Sequence, residues 1–262
     1  IVRRTGGYPL SPEDGTLVVD STVRGQYASQ PYTDTGLTNG TEYFYRAFTY
    51  ASDGSVNMSC GSESLDSAVP ENLYTLGDMP VGTLVSITET EDGAASAVPY
   101  LLLEHNHYGS GETVLIRNST TTGMHDIVTG PDEHLTARFS AGVVSQLVSV
   151  PISYSTSSGT NQTTARAFNL GRREVGDSSA SSTTGTAFAY FTDNTSRKSA
   201  DATAWVLRDK TRSAYYCSVS RAGSISDDDE EAVTTARPAV AISSAALISG
   251  EVNPDGSYDL IE

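Results

Sequence analysis

The sequence predicts a mostly β protein, and three observations predict it. Short segments rich in Val, Ile, Thr and aromatics recur between Gly, Asn, Asp and Pro breakers. Few windows carry apolar residues at the i, i+3, i+4 spacing of an amphipathic helix. The composition is rich in Ser, Thr, Gly, Val and Ala and poor in Lys. At 262 residues the chain suits one large or two modest domains, and it holds no apolar run long enough for a transmembrane helix. Its opening, I-V-R-R-T-G-G-Y-P-L, lacks a starting Met and an apolar leader, so the chain is read as beginning inside a longer polypeptide.

Sixteen basic and 32 acidic residues give a formal net charge of −16. Such a chain repels phosphate backbones, so nucleic acid is not an expected partner. The acidity is spread along the sequence except for S-D-D-D-E-E at 226–231, read as a solvated loop. Calcium is the one cation such a run would suit, but the spacing and glycine of a helix–loop–helix calcium site are missing. The expected cofactor is therefore none, with calcium as the side reading. Cys60 and Cys217 are too few for a disulfide framework and read as small buried residues. Five N-x-S/T triplets, headed by Asn39, Asn57, Asn118, Asn161 and Asn194, are what chance supplies in so Ser/Thr-rich a chain.

Residues 1–68 form a first segment. I-V-R-R-T and T-L-V-V-D read as strands around a turn-rich stretch, and Tyr43, Tyr45 and Phe48 lie in a strand entered through the tight turn Asn39-Gly40. Leu37 and Tyr43 flank that turn at the spacing of a tyrosine corner, in which the Tyr hydroxyl bonds back to upstream backbone. L-T-N-G-T-E-Y-F-Y-R-A-F resembles the penultimate strand region of a fibronectin type III domain, and V-R-R-T-G-G-Y-P-L-S-P-E-D-G-T-L-V resembles the middle of a variant of it. The resemblance implies a β-sandwich whose N-terminal strands are absent from this sequence, with an exposed sheet edge. Residues 69–77, with Pro70, read as a semi-rigid linker into a second unit.

The second unit, 78–262, opens with three strands, V-G-T-L-V-S-I, V-P-Y-L-L-L-E-H-N-H-Y and T-V-L-I-R-N. Their continuous apolar runs suggest central strands covered on both faces. Leu135, Phe139, Val143 and Leu147 recur at steps of four after Pro131 and Asp132, predicting a helix or helix pair. S-T-T-G-T-A-F-A-Y-F-T-D-N is read as a short helix carrying Phe188 and Phe191. A-T-A-W-V-L-R, A-Y-Y-C-S-V, R-P-A-V-A-I-S and S-Y-D-L-I read as strands, the last after the turn N-P-D-G.

The stretch L-L-L-E-H-N-H-Y-G-S-G-E-T-V-L-I holds His105 and His107 at i, i+2, which on a strand would aim both rings to one face. Zinc would need a third ligand, for which only His125 and His134 offer themselves, in no recognised spacing. Catalysis would need a nucleophile beside a histidine, and no G-x-S-x-G elbow is present. The preferred reading is structural, with His and Asn side chains bonding the backbone of the following turn. Trp205, the only tryptophan, reads as core. Arg208 and Arg237 sit on apolar strands, where a buried Arg needs a carboxylate, and Glu174 is one such partner.

P-V-G-T-L-V, L-E-H-N-H-Y-G-S-G-E-T-V-L-I, F-N-L-G-R-R-E-V-G, F-A-Y-F-T, A-W-V-L-R and A-R-P-A-V-A-I occur in the order of an uncharacterised domain family of phages, prophages and Gram-positive surface proteins, which the unit resembles. The late pieces resemble the C-type-lectin-like fold, so the resemblance implies an α+β lectin-like domain. In that fold the span Asp209 to Glu231 would supply the ligand-binding face, with Lys210, Arg212, Tyr215, Tyr216 and Arg221 as its binding residues. His105, His107, Trp205, Arg208 and Arg237, with Leu37 and Tyr43 of the first segment, would be structural hallmarks. Formylglycine-generating relatives of the fold use paired cysteines, whereas Cys60 and Cys217 fall in different segments, so no enzyme is expected.

The resemblance implies a phage virion protein of the tail tip, baseplate or fibre, on the particle surface. It would bind a bacterial surface polysaccharide or protein and contact other virion proteins. A homo-oligomer, a trimer by analogy with phage fibres, is expected, with no membrane insertion. A capsid decoration or head-fibre protein and a bacterial surface adhesin are the alternatives.

Overall fold

The computed structural model describes residues 1–23, 26–27, 32–50, 56–57, 65–122, 128, 130–156, 159–177, 185–212, 215–229 and 234–262. It is mostly β, as the sequence predicts. The chain divides into two compact units, Ile1–Asn72 and Leu73–Glu262.

The first unit holds an antiparallel sheet in the order β2-β1-β3-β6, formed by β1 (Val2–Thr5), β2 (Thr16–Leu17), β3 (Tyr43–Arg46) and β6 (Leu65–Ala68). A small ladder pairs β4 (Thr49–Tyr50) with β5 (Val56–Asn57). Alternation along the strands sorts their side chains. On one face Val2 and Arg46 are buried, the Arg46 guanidinium donating to the Pro9 carbonyl at 3.0 Å while lying 5.3 Å over Phe48. On the other, Asp34 takes Arg3 at 2.7 Å and the Tyr45 hydroxyl at 3.1 Å. The Tyr43 hydroxyl accepts the Thr38 N–H at 3.0 Å, closing the turn at Asn39-Gly40, where Gly40 takes φ 73°. That N–H holds the Tyr43 hydroxyl below its ordinary pKa. Leu37 is half-buried beside this turn.

The second unit is organised by an eight-stranded sheet in the order β13-β17-β10-β9-β8-β19-β18-β7. Its strands are β7 (Leu73–Thr75), β8 (Leu84–Glu91), β9 (Ala94–His105), β10 (Glu112–Arg117), β13 (Ala167–Phe168), β17 (Ala239–Ser243), β18 (Leu247–Val252) and β19 (Ser257–Leu260). All its pairings are antiparallel except β19 with β8. Residues 73–77, read from the sequence as linker, join this sheet. β7 pairs with β18, and the 3-10 turn Leu76–Asp78 buries Leu76 completely.

Period-two alternation gives this sheet two cores. Val85, Ile87, Tyr100, Leu102, Leu115, Val240 and Ile242 share one with Leu135, Phe139 and Val143, which come from α1 (Gly130–Arg138), the residue after it, and α2 (Ala141–Gln146). Leu101, Leu103, Val114, Ile116, Ala239 and Ala241 share the other with Ile152, Phe168, Trp205, Leu207 and Cys217. That second core is roofed by the hairpin β11 (Val150–Thr156)–β12 (Gly159–Ala165) and by a three-stranded sheet of β14 (Trp205–Arg212), β15 (Tyr215–Val219) and β16 (Ile225–Asp229). A sheet covered on both faces explains why every residue of β10 is buried.

Two elements differ from the sequence reading. Residues 185–194 form turns rather than a helix, with one i→i+3 bond from Phe191 to Phe188 at 3.2 Å. Phe188 and Phe191 are both nearly fully buried, and tertiary aromatic packing overrides the weak helical spacing. The acidic run is not wholly loop: Ile225–Asp229 pairs with β15, while Glu230 and Glu231 lie outside the described residues.

The helix pair is separated by Ser140, which caps α2 by accepting the Val143 N–H at 3.1 Å. Ser140→Ala is expected to cost about 1 kcal/mol, read as a lower urea midpoint in Trp205 fluorescence.

Candidate functional site

The turn after β9 is built by side chains rather than by glycine alone. β9 ends at His105, and Asn106 takes a left-handed φ of 57°. Asn106 Oδ1 accepts the Gly111 N–H at 2.6 Å, and the Asn106 N–H reaches the Glu112 carbonyl at 2.8 Å. The Glu112 carboxylate, nearly fully buried, accepts the N–H groups of Tyr108 at 2.6 Å and Gly109 at 3.2 Å. The expected side-chain bonds to the turn are therefore made by Asn106 and Glu112, while the histidines bond elsewhere.

The left-handed residue between them removes the strand geometry that would aim the two rings to one face. His105 Nε2 lies 2.8 Å from the Met79 carbonyl and Nδ1 lies 2.8 Å from Thr113 Oγ1. A carbonyl only accepts, so Nε2 carries a proton, while Nδ1 meets the Thr113 hydroxyl, which in turn lies 2.9 Å from the Ser244 hydroxyl. That chain occupies both nitrogens of His105. His107 contacts the Glu104 carboxylate through Nδ1 at 2.8 Å and stacks on Phe188 at 3.8 Å and 18°. The E-H-N-H-Y-G and F-A-Y-F stretches, far apart in sequence, thus pack on each other.

Under this turn lies a buried charged cluster. Arg208 and Glu174 form an ion pair with both side chains fully buried. Arg208 Nη1 donates to Glu174 Oε2 at 2.6 Å and to the Asn169 carbonyl at 2.9 Å, and Nε donates to the Ser153 carbonyl at 2.8 Å. Glu174 also accepts the Tyr108 hydroxyl at 2.9 Å and the Gly171 N–H at 3.0 Å. Neighbouring Asp209 accepts from the N–H groups of Ser155 at 2.8 Å and Arg172 at 2.7 Å. Arg172 in turn pairs with Asp177. Burial opposes the Arg208 charge, but Glu174 outweighs it and holds the guanidinium above its ordinary pKa. Burial, then the Glu174 charge, pushes the Tyr108 hydroxyl well up. Gly185 comes so close, at φ 93°, that a Cβ there would stand 2.9 Å from Glu174 Oε1.

Arg237 is the contrasting case. It is nearly fully buried yet, among the described residues, has no carboxylate partner in ion-pair range. Its guanidinium lies 5.6 Å over Trp205, and Nε donates to the Arg117 carbonyl at 2.8 Å. Burial lowers its pKa to about 10. Trp205, itself fully buried, donates Nε1–H to the Arg197 carbonyl at 3.1 Å.

The residues expected to bind ligand do not all converge. In β14–β15 the register places Lys210 opposite Tyr216 and Arg212 opposite Tyr215. The side chains of Arg212 and Tyr215 lie outside the described residues. Lys210 Nζ lies 4.1 Å over the Tyr216 ring, and both side chains are half-exposed. Tyr216 backs onto Val206 and Ala236, whereas its neighbour Cys217 points into the core. Asp228 of β16 stands opposite Tyr216 on its other side. Arg221 is exposed in the turn beyond the end of β15 at Val219, so it stands apart from the Lys210–Tyr216 pair.

Among the described residues no three His, Cys, Asp or Glu side chains gather as a metal site. His125 and Cys60 lie outside them, and the described part of the acidic run sits in a strand. His134 lies on α1, its Nε2 buried without a hydrogen-bond partner, and burial followed by the Arg138 charge lowers its pKa. The cluster of Glu174, Asp209, Arg172 and Asp177 was missed by sequence reasoning except for Arg208 with Glu174. Its signal is the dense charge within the apolar F-N-L-G-R-R-E-V-G-D.

A family model described as a domain of unknown function, DUF6273, matches residues 132–244, under half of the chain. The match runs from α1 to β17 and contains the Arg208–Glu174 pair, Trp205 and Arg237. It does not include the E-H-N-H-Y-G turn. No fibronectin type III or C-type-lectin-like family model matches. No curated protein and no solved structure matches the chain.

Proposed function

We propose that the chain is a non-enzymatic structural protein of a phage virion, in the tail tip, baseplate or fibre, whose second unit binds the bacterial surface. The first unit would serve as a fibronectin-type spacer and the second as a lectin-like head. The observation that carries this reading is the Lys210–Tyr216 pair, a cation seated on a half-exposed aromatic at the end of the β14–β15 hairpin. Aromatic and cationic side chains of this kind dominate recognition surfaces. Two residues before Lys210, β14 is anchored to the core by the fully buried Arg208–Glu174 pair. Single sites of this size bind weakly, and several heads acting together would give adhesion.

The test is saturable binding of the labelled full chain, displayed multivalently, to intact Gram-positive cells. Loss of binding on replacing Lys210, Arg212 and Tyr216 together, with the fold retained by circular dichroism, supports the reading. Absence of saturable binding to any cell tested overturns it in favour of a decoration or assembly role.

A further inference from the structure

Among the described residues, the outer edges of the second unit's two larger sheets are guarded. β7 and β13, at the two ends of the eight-stranded sheet, are three and two residues long. The three-stranded sheet ends on β14, which carries Arg208, Asp209, Lys210 and Arg212, and on β16, which carries Asp227, Asp228 and Asp229. Short strands and charged side chains are the devices that keep an edge from pairing with another chain.

β12 has neither. It is seven residues long, G-T-N-Q-T-T-A, and pairs with β11 in unbroken register from Val150↔Ala165 to Thr156↔Gly159. It holds no charge, no proline and no bulge. Residues 159–162 and Thr164 are exposed, and no strand pairs with its outer edge among the described residues. Every second residue of an antiparallel edge strand turns its N–H and C=O away from its partner, here into solvent. The side chains are held in place: Gln162 donates to Ser153 at 3.2 Å and Asn161 to Thr156 at 3.3 Å.

The neutrality extends beyond the strand. From Phe139 to Ala165 no side chain is charged, in a chain that carries −16. Two copies of so acidic a chain repel one another wherever charged surface meets charged surface. An uncharged edge is the place where that repulsion is least, which selects a second copy of this chain as the occupant.

We propose that β12 pairs antiparallel with β12 of a second copy about a two-fold axis at Gln162, joining two hairpins into one four-stranded sheet. The pairing is self-complementary. Gln162 meets its own counterpart, Asn161 meets Thr163, and Thr160 meets Thr164. Directly opposed Thr pairs and stacked amides favour such a ladder. The contact goes beyond the surface-binding reading and does not depend on it. Its two-fold symmetry pairs heads and does not by itself build a trimer.

Sedimentation of the full chain over micromolar to millimolar concentration tests it. A reversible monomer–dimer equilibrium is expected. Thr160→Lys with Thr164→Lys places lysines opposite each other across the axis and is expected to weaken the dimer at least tenfold. Thr160→Lys with Thr164→Glu places opposite charges across the same axis and is expected to retain the dimer. Both positions are exposed, so the fold is expected to survive, which circular dichroism checks. A chain monomeric throughout, a dimer indifferent to the two lysines, or a dimer lost equally in both double variants overturns the proposal.

Discussion

Arg208→Ala is expected to lower the unfolding free energy by about 3–5 kcal/mol, because it strands the fully buried Glu174 carboxylate without its counter-charge. Domains are stable by only about 5–15 kcal/mol, so the urea midpoint should fall steeply. The loss is not of one bond. Arg208 also serves the carbonyls of Ser153 and Asn169, which tie β11 and the segment after β13 to β14. Glu174→Gln keeps the side-chain shape but leaves the buried Arg208 guanidinium without its counter-charge and sets an amide NH2 against donors that the carboxylate accepts, so its cost should be comparable. The two substitutions share one network, and together they should cost less than the sum of their separate effects. Trp205, the single tryptophan and fully buried, makes fluorescence a local reporter of this unit. A shift below about 1 kcal/mol for Arg208→Ala would mean that water or relaxation satisfies Glu174, and that the cluster does not anchor β14.

Trp205→Ala is the second large effect, expected at about 3–5 kcal/mol. The side chain is fully buried in the core shared by the central sheet and its three-stranded roof. Its removal opens a cavity and also takes the aromatic face from Arg237, a buried cation with no carboxylate partner in range among the described residues. Trp205→Phe keeps an aromatic surface and should cost distinctly less. Without tryptophan, far-ultraviolet circular dichroism has to follow the urea transition. Equal destabilisation by Phe and Ala would show that neither volume nor the aromatic face over Arg237 sets the loss, and would assign it to the indole N–H bond to the Arg197 carbonyl.

Much of the second unit was legible because its strands are buried on both faces. V-P-Y-L-L-L and T-V-L-I read as apolar runs, and such runs occur where a sheet is covered twice. The helix pair was legible through Leu135, Phe139 and Val143, which do share one core. The Arg208–Glu174 pair followed from the cost of an unpaired buried charge. The β11–β12 hairpin was not legible, because its exposed strand is Thr, Asn and Gln without apolar alternation. The F-A-Y-F segment was misread as a helix because its aromatics answer to His107 and the core, which single-sequence spacing does not reveal. Residues 73–77 looked like a linker because their sheet partner, β18, lies over 170 residues away. The same-face reading of His105 and His107 failed on one backbone angle, at Asn106, which no spacing rule supplies.

The proposed function separates a scaffold, made by the E-H-N-H-Y-G turn and the Arg208–Glu174 cluster, from a proposed binding surface at Lys210 and Tyr216. The direct test compares saturation binding to intact cells of two variants of the full chain, each kept below its unfolding transition. One carries Lys210→Ser and Tyr216→Ser, and the other carries Glu104→Gln and His107→Gln. The first is expected to lose binding while staying folded, and the second to unfold more readily yet bind with unchanged affinity. Binding lost in the folded Glu104/His107 variant and kept in the Lys210/Tyr216 variant would contradict that separation and move the site to the turn.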